Sequence, residues 1–138
     1  MALLVTAALT LSLSVTFMLT SAKQAAACLT TSKLPGTWHS SNDRLSRIDV
    51  FVSESCGLSI RAYSTCDYDA TKDCPWDGGR TKKLSPSRYV AGAQYATYTW
   101  NNASEQLRMT RKSTYVSVED YIKWKSGKTE NFTVSMSK

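Results

Sequence analysis

The chain has 138 residues, 42% hydrophobic and 20% charged, with 17 Lys and Arg against 11 Asp and Glu, a single His and a net charge of +6. That is the size of one ordinary domain, which excludes a β/α-barrel enzyme and a two-half doubly wound sheet, while the apolar content excludes a disordered tail. A charge excess of this size speaks for solubility and loose attraction to anionic surfaces, and it is no nucleic-acid signature.

Much of the apolar content lies at the start. Met1–Thr20 (MALLVTAALTLSLSVTFMLT) carries no charged side chain, a pattern that suits either a membrane-spanning helix or the apolar region of a secretory signal. The small-residue pattern at Ala25–Ala27, with an earlier one at Thr20–Ala22, favours a signal peptide over residues 1–27 and a single secreted domain over 28–138. The alternatives are an uncleaved anchor, or lipidation of Cys28 in the AAAC stretch, either of which gives a membrane-anchored protein. Loss of Met1–Ala27 removes Lys23 and no acid, so the net charge falls by one.

All four cysteines, Cys28, Cys56, Cys66 and Cys74, follow that segment. An even count in a small exported domain reads as two disulfides with three possible connectivities. The short, polar segment between Cys66 and Cys74 favours pairing those two, which leaves Cys28 for Cys56. Zinc is not expected, since the chain lacks close C-x-x-C pairs and has only His39. Asn102-Ala103-Ser104 and Asn131-Phe132-Thr133 are glycosylation sequons, relevant in a eukaryotic host.

Every later apolar stretch is short, and most alternate. Arg47–Val52 turns Ile48, Val50 and Val52 one way and Arg47 and Asp49 the other, Leu58–Tyr63 repeats the pattern, and the Ser53–Gly57 turn between them predicts an antiparallel hairpin. Arg88–Asn101 is rich in Tyr, Thr, Val and Trp, and a turn at Asn101–Ser104 joins it to Gln106–Lys112. Thr114–Lys125 and Thr129–Met136 flank a further hairpin turn at Ser126–Lys128, with Phe132, Val134 and Met136 as the inward row. No window carries an i, i+3, i+4, i+7 stripe, so little or no helix is expected after the signal. Six or more short strands separated by turns predict an all-β fold, a small antiparallel β-barrel. Trp38, Trp76, Trp100 and Trp124 stand on or beside these strands as core fillers or cavity walls.

With the strands placed, Gly36-Thr37-Trp38 resembles the G-x-W start of the calycin group, the lipocalin and avidin-like barrels. That resemblance implies a calycin-like barrel whose Trp packs beneath one end. Over nearly all of 28–138 the chain is also similar to uncharacterised, mostly bacterial exported β-domains. The shared order is Gly36-Thr37-Trp38, Ser46–Val50, Leu58–Tyr63, the Cys66–Trp76 loop, and Lys125–Lys128 leading into Asn131–Val134. The Cys66–Trp76 loop is longer here and lacks a Pro-Thr pair, and Cys28 and Cys56 are additional. This second resemblance implies a small β-barrel of unknown function.

No catalytic, cofactor or metal site is expected. Asp67, Asp69, Asp73 and Asp77 crowd one segment, but Lys72 and Gly78 stand where a calcium loop needs Gly and Glu, so a solvated acidic turn is the expectation. Glu119 with Asp120 is the other dense acidic pair, and no spacing sets two acids across a cleft. Nucleophilic catalysis would rest on His39 alone, with no G-x-S-x-G. Arg108, Arg111 and Lys112 with Lys123, Lys125 and Lys128, interleaved with Tyr115 and Tyr121, would make a basic face if they shared one. The expectation is therefore a secreted, non-enzymatic binding module for a small apolar or aromatic ligand or an extracellular protein, with no nucleic-acid partner. Trp38, Tyr63, Tyr95, Trp100 and Trp124 are the candidate cavity or end-closing residues. The alternative is a protein-binding inhibitor or host-directed factor presenting the Cys66–Cys74 loop.

Overall fold

The computed structural model describes residues 33–138. The expected signal peptide over 1–27 and Cys28 lie outside the described residues. The fold is all-β. β1 (Gly36–His39), β2 (Arg47–Val52), β3 (Leu58–Cys66) and β4 (Asp69–Pro75) are antiparallel neighbours in that order, and β5 (Lys82–Lys83) joins the same sheet against β3. β6 (Ser85–Pro86), β7 (Ala93–Thr99), β8 (Ala103–Arg111), β9 (Val116–Trp124) and β10 (Thr129–Met136) form a second antiparallel sheet. Among the described residues the only helical element is a 3-10 turn at Trp76–Gly79.

The two sheets join at both edges. On one side His39 N–H donates to the Ser137 carbonyl at 2.7 Å and Ser137 N–H returns to His39 at 2.9 Å, which ties β1 to the end of β10. On the other, the segment Lys82–Pro86 pairs first with Ser59 and Ile60 of β3 and then with Gln94 and Tyr95 of β7, with the Leu84 N–H bonded to the Leu58 carbonyl in between. Closure of this kind protects the sheet edges other than that of β4 and turns alternate residues of the long barrel strands inward.

The inward rows follow the register. On β8, β9 and β10 the cross-strand layers are Met109–Val118–Val134, then Leu107–Asp120–Phe132, then Glu105–Ile122–Glu130, and finally Ala103–Trp124 at the mouth. β7 adds Ala96 opposite Leu107 and Tyr98 opposite Glu105. The first sheet contributes Ile48, Val50, Ile60 and Ala62 to the same core. Apolar residues therefore fill the end of the barrel near the β8–β9 turn, and polar ones begin halfway up.

Trp38 lies at that apolar end. It is 1% exposed, its indole N–H donates to the Leu34 carbonyl at 2.8 Å, and the Arg111 and Lys138 cations sit over its ring at 5.2 and 4.8 Å.

The expected β2–β3 and β9–β10 hairpins are present, and the left-handed residue of the first turn is Cys56 (φ 63) instead of the neighbouring glycine. Two segments differ from the sequence expectation. The strand expected from Arg88 begins only at Ala93, because Ser87–Gly92 forms a turn with Gly92 at φ 75. The acidic Cys66–Cys74 segment is the turn of a hairpin and the strand β4, paired with β3 across Ser64↔Cys74 and Thr65↔Asp73, and the Cys66–Cys74 disulfide joins the two. Cys56 is also disulfide-bonded.

Replacing Trp38 by Ala is expected to cost about 3–5 kcal/mol, the usual range for emptying a buried Trp site. Urea unfolding checks this: the midpoint should fall with the slope unchanged.

Candidate ligand cleft at the barrel mouth

The open end of the barrel holds a cleft of about 380 Å³ lined by Trp76, Trp100, Trp124, Glu105, Ile122 and Arg44, among others. That volume is near the lower end of the roughly 300–1,000 Å³ typical of small-molecule sites.

Each wall has a local cause. Trp100 directly follows β7 and Trp124 ends β9, both with the parity of the inward rows. Trp76 comes from the turn after β4, where Asp77, Gly78 and Gly79 all take left-handed φ values of 46, 62 and 80. Two glycines meet that demand at no steric cost. The turn is held by Arg61 Nε donating to the Gly79 carbonyl at 2.7 Å and by Lys82 Nζ on the Asp77 carboxylate at 2.6 Å. Trp76 thereby meets Tyr98 and Trp100 edge-on, with centroids 5.2 and 6.1 Å away, while Tyr98 and Trp100 stack at 5.7 Å. Tyr98 is fully buried beneath them, accepts the Ala62 N–H at 3.2 Å, and its hydroxyl is pushed up to about 12, chiefly by burial.

Acids form the floor. Glu105 accepts the Trp100 indole N–H at 2.7 Å. Asp120 lies one layer deeper, fully buried, and as a carboxylate neither of its oxygens has a donor within reach. Burial raises its pKa, the Glu105 charge raises it further, and its protonated form alone can donate to Glu105. Together these push it up to about 8, against an opposing pull from Arg44. At neutral pH Asp120 is therefore a buried acid holding a proton beside Glu105.

Arg44 stands at the rim, from the turn between β1 and β2. Its guanidinium lies 4.4 Å over the Phe132 ring and 3.5 Å from the Glu130 carboxylate, which Lys128 also approaches at 3.0 Å. Glu130 is held below the usual carboxylate range, first by its Lys128 contact. The Trp124 indole N–H is buried in the cleft wall without a hydrogen bond of normal geometry. A second depression of about 410 Å³, with Asp43, Thr65 and Asp67 in its wall, shares Arg44 and Ser64 with the first.

Of the residues singled out in the sequence, Trp100 and Trp124 line the cleft and Trp38 sits at the opposite end. Tyr63 and Tyr95 are elsewhere. Tyr63 falls between the inward Ala62 and Ser64 of β3 and packs on the outside under the Arg47 guanidinium, 3.7 Å from its centroid. Tyr95 lines an outer depression with Arg88 and Arg108. Asn102 is exposed at the cleft rim, and Asn131 is exposed on the outer face of β10, donating to Glu119. His39 is exposed and engaged only through its backbone in the β1–β10 bridge.

The acidic segment is tied up internally. Asp73 accepts from Ser46 and Arg47, Asp69 from Thr71, and Asp77 from Lys82. No group of three or more metal-ligating side chains occurs among the described residues. Of the basic residues, Arg108 pairs with Glu119 across β8 and β9 and Lys128 with Glu130.

Glu105, Asp120 as an inward residue, and Arg44 were missed by the sequence reading, although a signal existed for the acids. Asp120 continues the inward row Val116, Val118, Ile122, and Glu105 the row Ala103, Leu107, Met109. Nothing comparable marks Arg44. Compared with known proteins, the chain matches no protein-family model, no curated protein and no solved structure.

The raised pKa of Asp120 has a stability consequence. Its folded value lies above the unfolded 3.8, so its contribution to stability is complete below that value and is lost as pH rises through about 8. Asp120→Asn, whose amide can still donate to Glu105, should flatten this dependence and raise the melting temperature near pH 8 by about 5 °C, with little gain near pH 4. Thermal unfolding at the two pH values checks the sign.

Proposed function

We propose that the protein is a secreted, non-enzymatic binding module that takes a small, flat, largely apolar or aromatic ligand in the cleft at its barrel mouth. The carrying observation is the convergence of Trp76, Trp100 and Trp124 around one opening above a packed, closed barrel. These tryptophans are half-buried, with Trp76 and Trp100 packed against the core, and they offer large apolar and π surface to a ligand. The disulfides and the apolar N-terminal segment support an exported protein.

A second reading has its own support. The disulfide-bridged β3–β4 hairpin carries Tyr68 at its tip, 78% exposed, which suits a protein-binding loop of the inhibitor type. Deleting the Tyr68 side chain separates the two readings, since it should leave small-ligand binding unchanged.

Titration with 2-phenylethanol, followed by tryptophan fluorescence and by calorimetry, tests the cleft. Saturable quenching is expected, with affinity about tenfold weaker in Trp100→Ala and unchanged in Tyr68→Ala, in line with the ~1–3 kcal/mol that stacking on an aromatic side chain contributes. Quenching that never saturates, or that Trp100→Ala leaves intact, would remove the cleft as the site.

A further inference from the structure

Resting on the reading of this cleft as a small-molecule site, we infer that its ligand is a cation: a protonated or quaternary amine carried on an aromatic or flat apolar body, with the charge lodged between the tryptophan faces and Glu105.

Three features of the cleft converge on that chemistry. The first is the wall. Trp76, Trp100 and Trp124 line it, with one face of Trp100 already stacked on Tyr98, and a cation desolvated over a free tryptophan face gains about 2 kcal/mol, more than at an exposed site. The second is the floor. Glu105 is fixed in place by the Trp100 indole N–H at 2.7 Å, so its carboxylate is oriented before any ligand arrives.

The third is Asp120. It is fully buried directly below that floor, and neither of its oxygens finds a donor among the described residues. Ionised, it would be a buried carboxylate without a donor, which is costly to the fold, so at neutral pH it keeps a proton beside Glu105 that an entering cation can replace. A protonated amine supplies both positive charge and N–H donors to this pair, and a quaternary amine supplies the charge alone. An anionic ligand would meet Glu105 head-on, and a neutral one would leave the pair as it is.

The charges around the pair agree. Arg44, the one guanidinium in the cleft wall, already faces the Glu130 carboxylate and the Phe132 ring. From β7 the pair meets Tyr98, which stays neutral because its hydroxyl is pushed up to about 12. From β10 it meets Glu130, which is negative. Glu105 and Asp120 thus place acidic groups at the base of the cleft in a chain whose overall charge is +6.

Binding of a cation favours the ionised form of Asp120, so the proton held between Asp120 and Glu105 leaves to solvent as the ligand enters. No covalent bond forms or breaks apart from that O–H. Affinity for a quaternary amine, whose own charge does not change with pH, should therefore rise with pH and level off above about 8.

The experiment compares three probes of one shape on the unmodified protein by calorimetry: 2-phenylethylamine, 2-phenylethanol and 3-phenylpropionate. The amine should bind about tenfold or more tightly than the alcohol, a difference of ~1.4 kcal/mol, and the propionate should be weakest. Glu105→Gln, which keeps an acceptor for Trp100, should remove the advantage of the amine while leaving the alcohol within about twofold. Phenethyltrimethylammonium, titrated at several pH values, should show the rise. If the alcohol or the propionate binds as well as the amine, the charge inference is overturned while the cleft remains a ligand site. If none of the three binds, both fall together.

Discussion

Closure of the sheet is the constraint on which the rest depends. With His39 bonded to Ser137 on one side and the Lys82–Pro86 segment shared between β3 and β7 on the other, the two sheets are tied at both sides and β4 alone is left on an edge paired only with β3. A slip of one residue would exchange every inward side chain for an outward one. The cost of that exchange is largest where the apolar row is complete, at the layer Met109–Val118–Val134. The apolar end thus pins the register for the whole barrel. Once pinned, the register carries Glu105 and Asp120 inward whether or not their burial is favourable, because they occupy the same parity as their apolar neighbours.

The disulfide acts on the other wall of the cleft. β4 leaves the barrel wall and pairs only with the last residues of β3, where the ladder is already interrupted by a register shift between Thr65 and Cys66. Such a hairpin end would fray by itself. The Cys66–Cys74 bond holds it in register, and Trp76 follows only two residues later in the chain. The left-handed run through Asp77, Gly78 and Gly79 then turns the chain back toward β5, with Lys82 gripping Asp77. A covalent link, two glycines and one ion pair together fix the position of a tryptophan that no hydrophobic row of the barrel would have placed.

How much of this can be read from the sequence follows from the same logic. Alternation marks β2, β9 and β10 within two residues and β3 three residues short of its end at Cys66, because each buries one face and solvates the other. β4 escapes, since it lies outside the barrel with neither face fully buried, and its polar, acidic composition reads as a loop. The outward placement of Tyr63 is hidden because an aromatic residue reads as buried whichever side covers it, and here the cover is the Arg47 guanidinium on the outer face. Trp100 and Trp124 are legible as wall residues because they stand at the ends of their strands. Glu105 and Asp120 are legible only by trusting parity over polarity, which composition alone does not encourage. Arg44 depends on a turn whose path is set by backbone and serine hydrogen bonds between Ser40, Asn42 and Leu45, and no periodicity describes it.

Asp120 also explains why the interior divides into two halves. Replacing it by an apolar residue would extend the core by one more layer toward the mouth and would gain the burial now forfeited. The layer above holds Ile122 between Glu105 and Glu130, so the barrel could close over with few further changes. Instead the acids stop the core at mid-height, keep the space above it polar at the base and aromatic at the walls, and so preserve an opening. A local loss of stability at one buried carboxyl is thus the physical condition for having a cleft at all, and the closed apolar end anchored by Trp38 is what lets the fold tolerate it.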